Sequence, residues 1–241
     1  MKWSIAMKQS RLLQRSPKPI EAIGQIGGHV KSGFPHPLGK RTGRAMALVS
    51  ALPLNDDDDD ERMVLTFLDR TDPVETFDNQ PGSGDNAVVI VPRSEIGLSA
   101  VNGVCLGDWR GCKVRYAESV DEPDELDVDP STLDVDASDA FVDMVDELGI
   151  DASKQGGYPL WQTKPVDINA IMEGEYRFHH RLTSDLVNFD SDMGEGVVIY
   201  VFVAKDGSGG AVCWQRSGGG VERTYGHYTD SRRGDLGGLF D

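Results

Sequence analysis

The feature that most restricts what this chain can fold into is an order of motifs that occurs twice. The first stretch opens with Ile26-Gly27-Gly28, passes Pro35 and Pro37, and gives an alternating apolar run from Ala45 to Leu52. An acidic turn, Asp56 to Glu61, then leads into a second apolar run, Met63 to Leu68. The second stretch opens with Gln155-Gly156-Gly157-Tyr158-Pro159, passes Pro165, and gives Tyr176 to Leu182. An acidic, Gly-containing stretch, Asp185 to Glu195, follows, and then Val197 to Val203, the strongest strand signal of the chain. Gly28 and Met63 are 35 positions apart and Gly157 and Val197 are 40 apart. A repeated order of this kind implies two supersecondary units with equivalent places in the core.

Both closing runs are β-branched and aromatic, bounded by Gly and Asp, as expected of strands buried on both faces. Ala87 to Val91 and Val101 to Leu106 add two strand candidates. Ala211 to Gln215 reads as the return strand of a hairpin with Val197 to Val203. Frequent Gly and Pro favour short antiparallel strands joined by turns. The Gly-Gly pairs read as turns needing positive φ. They match neither phosphate-binding glycine pattern, and no helix start follows them.

Helix signals are few. Ser138 to Leu148 places Phe141, Val142, Val145 and Leu148 at helical spacing, with Ser138 as N-cap and Gly149 as the stop. Met7 to Gln14 reads as a short helix with one basic face. The expected fold is α+β and β-dominated, a duplicated unit of antiparallel strands with few short helices. Its parts are a basic N-terminal arm (1–19), a first unit (20–117), an acidic linker with one helix at about 138–148 (118–152), a second unit (153–216) and a Gly-rich tail (217–241). Composition leaves open whether the two units share one core.

Charge is distributed unevenly. From Met1 to Ala45 there are nine Lys or Arg and one acid; from Glu118 to Asp151 there are fourteen acids and no base, within a net charge of −16. A basic partner could be steered to such an acidic stretch. The acidic bulk and the lack of aromatic interleaving in the basic arm argue against nucleic acid. No apolar run approaches the ~20 residues of a membrane span. The basic N-terminus lacks a continuous apolar run and a small-residue cleavage site, so a cytoplasmic location is expected. Cys105, Cys112 and Cys213 form no even framework and read as free thiols of a reducing compartment.

Chemistry-bearing candidates are sparse. His179 and His180, with Asp190 and Asp192 nearby, could ligate a divalent metal. On a regular strand, however, neighbours face opposite sides, which predicts one packed and one exposed histidine. Asp56 to Asp60 lacks the spacing of a calcium loop and reads as a solvated hairpin. No GxSxG elbow is present. Tyr158 and Trp161, beside the second Gly-Gly turn, suit either an aromatic contact site or a core plug.

The segment Gln155-Gly156-Gly157-Tyr158-Pro159 with Trp161-Gln162, then Phe178 to Asp192, then Met193-Gly194-Glu195-Gly196 entering Val198 to Val203, resembles the YwqG-like family of bacterial proteins. Ile26-Gly27-Gly28 resembles that family's N-terminal Gly-Gly element, so the resemblance spans roughly residues 20 to 215. His180-Arg181 and Glu195 depart from the family's usual Leu-Gln and Asp. The resemblance implies a duplicated β-dominated α+β fold and, through family members encoded beside polymorphic toxin systems, an immunity-type role. It supplies no catalytic residues.

The first functional expectation is therefore a non-enzymatic protein-binding module, plausible as an immunity-type protein that neutralises a basic toxin domain. Asp121, Glu122, Asp124, Glu125, Asp127, Asp129, Tyr158 and Trp161 are its contact residues, and it needs no cofactor. The alternatives are a metal-dependent enzyme using His179 and His180 with Asp190 and Asp192, and a structural or regulatory interaction protein.

Overall fold

The computed structural model describes residues 7–30, 33–55, 61–69, 81–97, 111–186 and 196–216. The strands are β1 (Met7–Arg15), β2 (Gly24–Ile26), β3 (Ala47–Pro53), β4 (Arg62–Leu68), β5 (Asn86–Pro92), β6 (Cys112–Pro123), β7 (Lys154–Gly156), β8 (Tyr176–Leu182), β9 (Val197–Ala204) and β10 (Gly210–Arg216). Two helices accompany them, α1 (Val135–Leu148) between β6 and β7 and α2 (Ile168–Ile171) between β7 and β8. The strands close into an antiparallel barrel in the order β1-β6-β2-β3-β4-β5-β10-β9-β8-β7, with β7 returning to β1. The weakest seam of the ring is between β5 and β10, which pair at Gly210 and Val88 alone. No helix among the described residues is long and apolar enough to cross a membrane.

Exchanging each of β1 to β5 with the strand five places later leaves this ring order unchanged. The correspondence extends to local irregularities. β3 carries a bulge between Leu48 and Ser50 against β4, and β8 carries one between Phe178 and His180 against β9. The Gly27-Gly28 and Gly156-Gly157 pairs end β2 and β7 with positive φ at all four residues. An extra residue at each bulge lets two consecutive side chains face the same side. Val49 and Leu52 accordingly join the interior cluster while Leu48 and Ala51 lie in an outer one.

The interior is filled by Leu13, Ile26, Val49, Leu52, Val64, Val88, Val114, Ile199, Val201, Val203 and Val212 among others. Three outer layers cover the barrel wall. Val30, Phe34 and Ile96 cover β3 to β5, with Phe34 stacked on Phe67. Trp161, Val166, Ile168 and Met172 cover β9 and β10, with Trp161 stacked on Phe202. Helix α1, through Phe141, Met144, Val145 and Leu148, packs with Ile150, Leu126, Tyr158 and Leu160 over β1 and β6.

Several expectations are corrected here. Met7 to Gln14 is strand, not helix: β1 lies between β6 and β7, so residues 7–15 are barrel wall rather than an arm. Its cations find partners, with Lys8 over the Tyr158 ring, Arg11 over Tyr116, and Arg15 donating to the Leu186 carbonyl. The acidic segment is a connection only from residue 124 onward, because its residues 118–123 extend β6, which bonds to both β1 and β2. The helix starts three residues earlier than its spacing suggests. Asp134, not Ser138, is the N-cap, accepting from Ala137 N, and Gly149 stops the helix at φ 63°. Val101 to Leu106, Asp56 to Asp60 and the tail 217–241 lie outside the described residues.

Candidate functional site

The flank built on α1 carries the acidic stretch. Phe141, Met144, Val145 and Leu148 turn one side of the helix to the barrel, which leaves Asp136, Asp139, Asp143, Asp146 and Glu147 exposed on the other. Val135 and Val142, 75% and 51% exposed, stand seven residues apart along that acidic side. Residues at this spacing share a helix face. No base falls within the stretch, so no ion pair from within it neutralises the face.

The contact residues read from sequence divide on this frame. Asp121, Glu125 and Asp127 are exposed, as is Asp124, whose carboxylate accepts from the Tyr158 hydroxyl. Asp129 is half-buried and holds Ser131 N and Oγ at the start of a 3-10 turn. Glu122 is a correction: it is fully buried and cannot face a partner. Its carboxylate takes Lys154 Nζ at 2.5 Å and Tyr158 N at 2.7 Å. Burial pulls the Lys154 ammonium down to about 8 against the opposing pull of the Glu122 carboxylate. Tyr158 is also a correction, since it is buried in the layer beneath α1. Trp161 is half-buried against Tyr200 and Phe202, a core role rather than a free aromatic.

The histidine pair departs further from expectation. Both rings are buried, because the β8 bulge turns His179 and His180 to the same side. His179 Nδ1 and His180 Nδ1 are 2.6 Å apart, His179 Nε2 lies 2.9 Å from the Pro53 carbonyl, and His180 Nε2 lies 3.0 Å from Ser50 Oγ. Gln155 Nε2 donates to the same Pro53 carbonyl at 2.8 Å, and its Oε1 accepts from Tyr116 OH. All four ring nitrogens are thus engaged, which leaves no lone pair for a metal. No group of three or more candidate ligands occurs among the described residues. Asp190 and Asp192 lie outside those residues.

A serine hydrogen-bonded to a histidine that is held by a second group has the connectivity of an activated nucleophile. Ser50 is fully buried among apolar side chains of a closed barrel, however, and serves there as a cross-barrel strut. Sequence reading missed Ser50, Gln155 and Lys154 because each is an ordinary polar residue whose partner comes from a distant strand. The exposed valines of α1 were in principle legible once the helix start at Asp134 was seen.

Fold and surface together define a closed ten-stranded antiparallel barrel with a one-signed acidic helix on its flank. Compared with known proteins, the chain matches no family model and no curated protein.

Proposed function

We propose that the protein is a non-enzymatic binding module that docks a basic protein, of the kind a toxin domain would present, against the outer side of α1. The observation that carries this reading is the acidic face of that helix, flanked by Val135 and Val142 and without a base in the surrounding stretch. Acidic side chains would steer the encounter, and the valines would supply apolar area that charges alone lack. Asp121, Asp124, Glu125 and Asp127 extend the same negative surface; Glu122 and Tyr158 hold the scaffold beneath it, and Trp161 packs instead over β9 and β10. The YwqG-like resemblance, which rests on motif order alone, agrees with an immunity-type role. The ring's indifference to exchange of its halves supports reading β1 to β5 and β6 to β10 as copies of one unit.

The test compares tagged wild type with a variant carrying Asp136→Asn, Asp139→Asn, Asp143→Asn and Asp146→Asn, each used to capture partners at low and at high salt. A stoichiometric basic protein retained by wild type at low salt, and lost both at high salt and in the variant, supports the docking face. Equal capture by both proteins places the interface elsewhere.

A further inference from the structure

β3 and β8 stand opposite each other in the ring, five steps apart in either direction, yet side chains tie them together across the bore. The directions follow from the last member, the Pro53 carbonyl, on which His179 Nε2 and Gln155 Nε2 converge; the 3.3 Å approach of these two nitrogens is then a contact between two donors to one acceptor. The Pro53 carbonyl only accepts, so His179 Nε2 carries a proton and, in the neutral ring, Nδ1 is bare. His180 Nδ1 must then donate across the 2.6 Å contact, its Nε2 is bare in turn, and the Ser50 hydroxyl donates to it. Gln155 and Tyr116 bring β7 and β6 to the same carbonyl. Arg177 of β8 fastens the following residues by donating to Leu54 O and Asn55 Oδ1.

This chain is complete only while both rings are neutral. A first proton on His180 Nε2 can be met by reversing the Ser50 hydroxyl, but it leaves a cation in the core. A second proton, on His179 Nδ1, sets N–H against N–H across 2.6 Å. The charged groups around the pair are themselves cationic. Arg177 lies on the same strand, and Arg11 of β1 lies beyond Gln155 and Tyr116; β3, β6 and β7 contribute only neutral groups to the tie. No carboxylate contributes to the shift of either ring.

We propose that the His179–His180 pair is a proton-operated latch between β3 and β8, which acidification releases at the Pro53 end of β3. Opening lets both imidazoliums reach water, so protons favour the open form. Burial holds His179 down to about 4 and His180 well below the ordinary histidine range. The closed form is therefore fully favoured above about pH 6.5 and loses ground as pH falls from there toward 4.

Two measurements on the full chain test this. Long-range nitrogen NMR of the imidazoles at pH 7.5 should show opposite tautomers, His179 protonated at Nε2 and His180 at Nδ1. Identical or averaged tautomers would overturn the proposal without any variant. Hydrogen-exchange protection of β3 and β8 should fall by about tenfold per pH unit for each proton taken up below pH 6.5. β4 and β5 should stay better protected than β3 and β8 throughout, falling only as the global unfolding free energy falls, and the pH-dependent fall should vanish in a His179→Gln/His180→Asn double variant. Protection equal in all strands at every pH, or a fall that persists in that variant, would refute the latch.

Discussion

Thr66 shows how much one hydroxyl can matter inside this barrel. It pairs with Ser50 across β3 and β4, is fully buried, and its Oγ1 has no hydrogen-bond partner. An unsatisfied buried hydroxyl costs ~1–3 kcal/mol, so Thr66→Val is expected to raise the melting temperature, as differential scanning calorimetry would show. Lys154 and Glu122 present the opposite case. Lys154→Met leaves a buried carboxylate without its cation and should destabilise by about 3–5 kcal/mol in urea unfolding. Changing Glu122 as well should restore only part of that loss, because Tyr158 N then lacks its acceptor. The histidines set the acid limit. His179 lies at about 4 in the fold and near 6.5 in the unfolded chain, so the unfolded state gains the proton first as pH falls. Its neutral form contributes about 3 kcal/mol above pH 6.5, lost progressively down to about pH 4. Unfolding free energies at pH 7 and pH 4.5 should differ accordingly, and the difference should shrink in His179→Gln.

At the scale of elements, α1 and the second Gly-Gly turn matter most. Asp134 holds the helix start and Gly149 its end in the left-handed region. Asp134→Ala is expected to lower stability by about 1 kcal/mol without altering the barrel, a change visible as weaker amide protection confined to the helix. The turn after β7 is less forgiving. Gly157 has φ 71°, and a Cβ there would lie 2.4 Å from Glu122 Oε2, inside the buried ion pair. Gly157→Ala therefore forces both a strained backbone and displacement of the carboxylate. A loss of at least ~3 kcal/mol is expected, against ~1–2 kcal/mol for Gly149→Ala, where the added methyl meets open space. Comparing the two melting temperatures separates backbone strain from damage to the pair.

For the whole molecule, net charge of −16 and the one-signed outer face of α1 imply self-repulsion that salt should relieve. Adding sodium chloride at pH 7 is expected to raise the melting temperature, and the rise should be smaller in the variant neutralised at Asp136, Asp139, Asp143 and Asp146. Barrel closure adds a second consequence. β1 bonds to β6 and β7 and thereby joins the two halves of the ring, so removing residues 1–15 should unfold the protein rather than merely trim an arm. Circular dichroism of that truncation would show the loss of strand signal.

Local pattern determined most strands, the β9–β10 hairpin, the glycine turns and the repeated order of features. β-branched runs, chain-reversing glycines and alternation act over a few residues and leave their mark there. Residues 7–15 and 118–123 read as helix and linker because their polar residues hide the alternation. They are strands because each finds the other across more than a hundred residues of chain. The same reason explains the candidate sites. Exposed acids follow from composition, but Glu122 is buried because Lys154 and the Tyr158 amide meet it, and Tyr158 is covered because α1 packs over it. The joint burial of His179 and His180 depended on a one-residue bulge, and their tie to Ser50 and Pro53 on strands opposite in the ring. Pairing register and barrel closure fix those contacts, and neither is written in the local periodicity of the sequence.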